Sequence, residues 1–308
     1  MVLCVNINFD ENDFLKLNAR MHGEEGILVI SILICYIYLI KSSVLNRMGN
    51  GDKKMTERFE VVFPLLGGSE ERYAYIYLPK SYFKDPHRRY PVLYMFDGHN
   101  VFFDEDATYG KSWGMEKFMN RHHIQMIICA VECNHHPDNG RLKEYAPFTF
   151  RHSQVGLIEG RGKMTMDWYV NELKPAVDAH FRTLADREHT FIAGSSMGGL
   201  MSLYALMDYN HVFSRAAALS PSLWTDPRKV KSMINKAALN PNTILYMDYG
   251  SEEFAYHRTM RRVYSDITSQ LIQKGVCVES RIVPGGQHTE ASWEKQLAFF
   301  MRTLLYKA

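Results

Sequence analysis

The stretch Thr190-Phe-Ile-Ala-Gly-Ser-Ser-Met-Gly-Gly-Leu200 joins an apolar, strand-like run to a segment rich in helix formers. Its centre reads Gly-x-Ser-x-Gly, with Ser196 at the middle position. A serine is presented as a nucleophile on a tight strand-to-helix turn, where only glycine fits two residues to either side. The sequence therefore predicts that Ser196 is a nucleophile and that Ser195 is a spacer. The Met197 amide, at the start of the helix, is predicted to stabilise an oxyanion.

Strand-like and helix-like segments alternate on both sides of this turn. Two strands of an antiparallel edge hairpin are predicted at Phe59–Phe63 and Tyr73–Leu78, and two nearly continuous apolar runs, Pro91–Phe96 and Ile124–Val131, predict central strands. Further strands are predicted at 190–193, 216–219, 243–247 and 276–283, and helices at 113–121, 164–181, 197–207, 251–274 and 290–305. This alternation predicts a mostly parallel sheet with helices on both faces, and chemistry at the carboxyl ends of its strands.

A serine nucleophile needs a base, and the base needs an acid that orients it. His288 follows the strand that ends at Val283 and precedes the last helix, so it is the predicted base. The predicted acid is Glu253, three residues beyond a turn that ends another strand. Glu252 and Asp248 remain alternatives, because spacing alone does not decide which carboxylate reaches the histidine.

A second oxyanion donor is predicted in the loop after the third strand, where Gly98 allows a sharp turn and leaves the His99 amide as donor. Asp97 in the same loop is predicted to anchor the loop or to touch substrate. Substrate contacts are also predicted for three side chains, each with packing as the alternative: Arg141, Tyr145 and Trp224.

Composition excludes several classes of protein. A net charge of +2 and scattered basic residues give no nucleic-acid footprint. The five cysteines are odd in number and include no Cys-x-x-Cys, which argues against a disulfide framework or a structural zinc site. His122-His123 and Cys133-Asn-His-His136 are poor chelating pairs because adjacent histidines diverge on a helix or strand. No metal or cofactor is expected, and a metal-binding or non-catalytic binding protein is the competing hypothesis.

Residues 1–54 differ in character from the rest, and one catalytic domain is predicted at 55–308. The apolar run from Ile27 to Ile40 is short for a membrane span. Acidic residues precede it and basic residues follow it, which is unlike a secretory signal. The segment is interpreted as an appended or spurious leader, with a membrane anchor and a segment packed on the domain as alternatives. In each case the domain is expected in the cytoplasm, with membrane contact only through an anchor.

Five blocks of sequence occur in the same order as in a known family, beginning with Pro91-Val-Leu-Tyr-Met-Phe-Asp-Gly-His-Asn100 and ending with Gly285-Gly-Gln-His-Thr-Glu-Ala-Ser-Trp293. The other three are Arg141-Leu-Lys-Glu-Tyr-Ala-Pro147, Ala193-Gly-Ser-Ser-Met-Gly-Gly199 and Leu219-Ser-Pro-Ser-Leu-Trp224. Together they resemble the "Putative esterase" family of α/β-hydrolases, over roughly residues 56–306. That family includes siderophore, feruloyl and acetyl-xylan esterases, S-formylglutathione hydrolase and the mycolyl transferases.

The resemblance implies an α/β-hydrolase fold and a serine esterase acting on a small-molecule ester. It implies that Ser196, His288 and Glu253 form the triad and that the His99 and Met197 amides form the oxyanion hole. This chain departs from the family in having glutamate within a Glu-Glu pair, where many members have aspartate. A siderophore-type substrate is the preferred expectation; a carbohydrate acyl or feruloyl ester and a small ester or thioester are the alternatives. The sequence makes no prediction of oligomeric state.

Overall fold

A computed structural model describes residues 55–306 except 66–67 and 256–258. The interpretation of residues 1–54 as a leader therefore lies outside the described residues. An eight-stranded sheet forms the centre of the domain, in the order β1-β2-β4-β3-β7-β8-β9-β10. Its strands are β1 (Thr56–Leu65), β2 (Gly68–Tyr77), β3 (Val92–Phe96), β4 (Ile127–Val131), β7 (Thr190–Ser195), β8 (Arg215–Leu219), β9 (Ile244–Gly250) and β10 (Cys277–Val283).

The sheet is antiparallel at one end and parallel elsewhere. β1 pairs with β2, and β2 with β4, in antiparallel fashion. The remaining neighbours are all parallel. Two further short strands, β5 (Phe150–His152) and β6 (Gly156–Ile158), form a separate antiparallel hairpin.

Helices follow or precede the parallel strands. They are α1 (Met115–Arg121), α2 (Gly140–Glu144), α3 (Gly162–Trp168), α4 (Lys174–His180), α5 (Met197–Asp208), α6 (Pro227–Lys236), α7 (Met260–Gln273), α8 (Glu290–Glu294) and α9 (Leu297–Leu304). A π-helical turn, Tyr169–Leu173, joins α3 to α4. No described helix has both the length and the apolar character that a membrane crossing requires.

Both faces of the sheet are covered by apolar side chains. On one face, Leu93 and Met95 of β3 belong to a buried cluster that includes residues of α1 and α9. Alternation along the strand turns Tyr94 and Phe96 to the other face, where both rings contact Tyr169. All five residues of β3 and of β4 are buried, as their continuous apolar sequences predict.

The predicted α/β fold is confirmed, including the mostly parallel sheet and the antiparallel hairpin at its N-terminal edge. The predicted helix 251–274 is wrong in its first part: Ser251–Ala255 is a 3₁₀ helix, and α7 begins only at Met260. The predicted helix 290–305 is divided into α8 and α9. The sequence reading missed the β5–β6 hairpin and α6.

Parallel strands bring the segments that follow them to one edge of the sheet. The chain leaves β3 towards β4 on one side and later returns to place β7 on the other side. Such a switch point opens a crevice at the carboxyl edge, which is where ligands bind in open α/β sheets. Each predicted site segment follows one of these strands, so the topology gathers them at this edge.

Candidate active site

Ser196 occupies the sharp turn between β7 and α5. Its backbone angles, φ 58° and ψ −121°, lie in a region that side chains rarely adopt. The turn is held from both sides, because the Ser196 amide donates to the Leu219 carbonyl at 2.9 Å and its carbonyl accepts from the Ser222 amide at 3.0 Å. The Ser196 hydroxyl is half-buried, with its Oγ 3.4 Å from Ser222 Oγ. This geometry is that of a nucleophile elbow.

The glycines around Ser196 are required by close backbone approach. A Cβ added at Gly194 would lie 2.7 Å from the carbonyl carbon of Gly198. One added at Gly198 would lie 3.0 Å from the Cβ of Phe96 and 3.2 Å from Asp97 Oδ2. The elbow is therefore packed directly against the loop that follows β3.

His288 and Glu253 are in contact at the carboxyl edge of the sheet. The distance from His288 Nδ1 to Glu253 Oε2 is 2.6 Å. The carboxylate is buried, whereas the imidazole is 43% exposed. Because Nδ1 faces an acceptor, it carries the proton in this pair, and Nε2 is left as the basic nitrogen. This is the polarity that a general base needs.

The other carboxylates near this strand end are placed differently. Asp248 accepts hydrogen bonds from the Tyr246 hydroxyl at 2.8 Å and the Ser220 amide at 3.1 Å. Burial raises the pKa of Asp248 to about 7. Glu252 is exposed. Of the three candidate acids left open by the sequence, the described structure brings Glu253 into contact with His288.

Two residues that sequence reasoning did not single out hold this acid and base. Ser220 Oγ donates to Glu253 Oε1 at 2.7 Å, and the Gly250 amide donates to the same oxygen at 2.9 Å. Trp293 Nε1 in turn donates to Ser220 Oγ at 3.0 Å, and its ring meets the His288 ring edge to face at 5.0 Å. Both Ser220 and Trp293 lie in the sequence blocks that resemble the family, and that resemblance could have pointed to them.

The described residues contain no direct hydrogen bond between Ser196 Oγ and the His288 ring; the recorded partner of Ser196 Oγ is Ser222. Catalytic hydrogen bonds are commonly long in the absence of substrate and shorten when it binds. Ser196 follows β7 and His288 follows β10, which are parallel strands of the same sheet, so both side chains come from segments at its carboxyl edge.

Asp97 is clamped by Arg141 beside the elbow. The guanidinium donates from Nε and Nη2 to the two carboxylate oxygens, each at 2.7 Å. Although burial raises the pKa of Asp97, the Arg141 charge outweighs it and holds the pKa below its ordinary value. Asp97 has φ 57°, so its own backbone shapes the turn. The ion pair supports the prediction that Asp97 anchors this loop.

Tyr145 is 1% exposed, and the Asp97 amide donates to its hydroxyl at 3.2 Å. The prediction that Tyr145 contacts substrate is therefore not supported, because burial commits its ring and hydroxyl to packing and to holding the loop. Trp224 is half-buried and lies edge-on to Phe150 at 5.9 Å and to His152 at 5.5 Å. It follows Ser222 by two residues, so this aromatic cluster lies beside the elbow.

Two backbone amides are placed where the sequence predicts oxyanion donors. Met197 is the first residue of α5, where an amide has no intrahelical acceptor. His99 is the second residue of the 3₁₀ helix Gly98–Asn100. The first hydrogen bond of that helix runs from the Asn100 amide to the Asp97 carbonyl, so the His99 amide lies before it and is not used by the helix. A Cβ at Gly98 would lie 2.7 Å from the Ala130 carbonyl oxygen, so the loop is pressed onto β4.

Comparison with known proteins finds similar folds and related sequences. An IroE-like serine hydrolase from Shewanella oneidensis has a similar structure, with a TM-score of 0.64 and 21% identity over 80% of this chain and 79% of that one. Siderophore hydrolase EstA from Aspergillus nidulans gives a TM-score of 0.59 and 17% identity over 82% and 95%. The uncharacterized protein YbbA of Bacillus subtilis is 24% identical over 204 residues, 64% of this chain and 75% of YbbA.

The sequence profile of the family described as "Putative esterase" matches residues 69–304, which is most of the chain. The match runs from β2 to the end of α9 and so includes every strand that contributes to the candidate site. The chain therefore belongs to the "Putative esterase" family and is a carboxylic ester hydrolase with the α/β-hydrolase fold.

Proposed function

We propose that the protein hydrolyses its ester through an acyl-enzyme, with Ser196 as nucleophile, His288 as general base and acid, and Glu253 as the orienting acid. The observation that carries the proposal is the 2.6 Å contact between His288 Nδ1 and the buried Glu253 carboxylate. It leaves Nε2 as the free nitrogen, on the edge of the sheet where the Ser196 turn lies. A buried carboxylate with two further hydrogen-bond donors is well suited to fixing the imidazole.

The reaction divides into two steps with balanced protons. Ser196 Oγ bonds to the ester carbonyl carbon while its proton passes to His288 Nε2. His288 then gives that proton to the departing alkoxide, which leaves as an alcohol and forms the acyl-enzyme. Water attacks the acyl carbon with His288 again accepting a proton, and collapse returns that proton to Ser196 Oγ as the acid is released.

The amides of Met197 and His99 are proposed to bind the negatively charged carbonyl oxygen in both steps. They project from the two segments that Gly198 packs together, the elbow and the loop after β3. A preorganised donor of this kind is worth about 10²- to 10³-fold in kcat. Precise placement of the two segments is therefore a requirement of the proposal.

Gly194→Ala tests that placement. The new Cβ meets backbone at 2.7 Å, so the elbow must shift, and we expect unfolding free energy to fall by about 1–3 kcal/mol with a marked loss of kcat. Urea denaturation and ester hydrolysis measure the two effects. Gly275→Ala, at φ +91° in open space at the turn before β10, is the control. It is expected to cost stability through its backbone alone and to keep kcat; equal kcat for both variants would contradict the packing argument.

A catecholate siderophore ester is the proposed substrate class. The aromatic cluster of Trp224, Phe150 and His152 lies beside the elbow and supports a substrate with an aromatic group. Two structural neighbours are described as an IroE-like serine hydrolase and a siderophore hydrolase, which adds support for the same class. Cytoplasmic action on such an ester remains part of the proposal.

A substrate panel tests this class: a catecholate trilactone, methyl ferulate and p-nitrophenyl acetate. The trilactone is expected to give the highest kcat/KM. Trp224→Ala is expected to lower kcat/KM for the trilactone by about 3- to 10-fold, the value of one aromatic contact, and to leave p-nitrophenyl acetate hydrolysis unchanged. Equal kcat/KM on all three esters would overturn the substrate class while leaving the esterase mechanism intact.

A further inference from the structure

Three side chains with metal-ligating atoms meet beside the loop that follows β3. His99 comes from that loop, and Cys133 and His135 come from the segment that follows β4. One ligand atom from each side chain lies within 4.8 Å of the other two. The rings of His99 and His135 meet at a centroid distance of 4.8 Å. The paired parallel strands β3 and β4 bring these segments together.

His99 supplies an independent sign that something binds here. The residue is 6% exposed, and its Nδ1 is buried without a hydrogen-bond partner. Its other nitrogen, Nε2, lies 3.0 Å from Thr108 Oγ1. A buried polar atom left unpaired costs about 1–3 kcal/mol. Metal-bound histidines have the same arrangement, in which one nitrogen donates to an oxygen and the other keeps its lone pair for the metal.

We propose that His99 Nδ1, the Cys133 thiolate and a ring nitrogen of His135 bind a zinc ion. Two nitrogens and one sulfur are a ligand set that Zn²⁺ favours, and three protein ligands leave a fourth position open. Bond lengths of about 2.0–2.3 Å require ligand atoms to lie about 3.3–3.8 Å apart. The cluster must contract by about 1 Å, and His135 is exposed and free to rotate.

Charged side chains lie close to the cluster. Cys133 is 2% exposed, and burial together with the nearby Asp97 carboxylate raises the pKa of its thiol; Asp97 itself is paired with Arg141. Binding replaces the thiol proton with the metal, and that proton is released to solvent. One positive charge of Zn²⁺ is balanced by the new thiolate, and the other lies near the Asp97–Arg141 pair. The zinc proposal does not rest on the triad, since the hydrogen bonds of Ser196 Oγ with Ser222 and of His288 Nδ1 with Glu253 involve none of its three side chains.

The test uses the full chain, stripped with a chelator and then titrated with Zn²⁺ or Co²⁺ alone. We expect about one equivalent of Zn²⁺ to remain bound after gel filtration, and Co²⁺ to give a thiolate-to-cobalt charge-transfer band. His135→Ala is expected to weaken Zn²⁺ binding at least about tenfold. Cys133→Ser is expected to do the same and to abolish the charge-transfer band, because Cys133 supplies the thiolate.

His136→Ala is the matched control, since His136 is also exposed and adjacent but pairs with Asp138 at 2.6 Å. It is expected to keep wild-type Zn²⁺ affinity. His135 is at the surface, so its variant keeps the test decisive if Cys133→Ser fails to fold. The proposal is overturned if the wild-type chain retains no Zn²⁺, if His135→Ala binds as tightly as wild type, or if His136→Ala loses affinity equally.

Discussion

Ser196→Ala is expected to lower kcat for ester hydrolysis by about 10⁴- to 10⁶-fold, the loss seen when a triad nucleophile is removed. The variant lacks the hydroxyl oxygen that is proposed to form the acyl-enzyme. We expect the variant to lose little stability, because the hydrogen bonds that hold the elbow are made by the Ser196 backbone and not by its side chain. Hydrolysis of p-nitrophenyl acetate measures the rate. Loss of the initial burst of p-nitrophenol in stopped-flow measurements would show that acylation is the step affected.

Ser195→Ala is the matched control for that experiment. Ser195 is the adjacent residue, is buried at the end of β7 and has ordinary strand geometry. Its variant is expected to retain kcat to within about tenfold, a modest packing effect of about 1 kcal/mol. A Ser196→Ala enzyme with wild-type kcat, or an equal loss in both variants, would reject Ser196 as the nucleophile.

Glu253→Gln is expected to lower kcat by about 10³- to 10⁴-fold, because an amide in contact with His288 Nδ1 no longer enforces the productive tautomer. The substitution keeps the size of the side chain. It also removes the negative charge that stabilises the imidazolium formed during each step. Comparison of kcat with KM checks the interpretation, since substrate affinity is expected to change little.

Two variants act as controls for the identity of the acid. Glu252→Gln changes an exposed carboxylate one residue away and is expected to leave kcat unchanged. Asp248→Asn alters a buried carboxyl that is hydrogen-bonded to Tyr246 and Ser220, so its expected effect is on stability more than on kcat. If Asp248→Asn or Glu252→Gln abolished activity while Glu253→Gln retained it, the assignment of the orienting acid would have to move.

Local sequence predicted those parts of the molecule whose signals are local. The elbow could be predicted because its tight turn requires glycine on either side of the serine. A Cβ at Gly194, for example, would lie only 2.7 Å from the backbone of Gly198. The buried strands β3 and β4 were readable as continuous apolar runs. The order of serine, acid and histidine along the chain then limited the acid to one strand end.

What could not be predicted depends on contacts between distant segments. Spacing does not tell which of two adjacent glutamates faces a histidine 35 positions away, whereas the 3₁₀ turn at Ser251–Ala255 directs Glu253 inward. The hydrogen bond from Trp293 to Ser220 spans 73 positions and has no local pattern. The short β5–β6 hairpin was missed because its three-residue strands carry too little periodicity.

The same limit explains why the sequence did not predict the cluster of His99, Cys133 and His135. Sequence reasoning considered Cys133 and His135 with their immediate neighbours and found poor chelating geometry. The third side chain, His99, lies 34 residues earlier in the chain and reaches the others only because β3 and β4 are neighbours in the sheet. Ligand sets assembled from two loops are invisible to spacing rules that search one segment.

The β5–β6 hairpin lies outside the sheet whose strands precede Ser196, Glu253 and His288. It forms its own two-stranded sheet, and through Phe150 and His152 it contacts Trp224 beside the elbow. Insertions or exchanges in this segment can change the surroundings of Trp224 without altering β7, β9 or β10, the strands that precede Ser196, Glu253 and His288. If Trp224 contacts substrate as proposed, changes in this hairpin are expected to alter which ester is preferred while the hydrolytic step is kept.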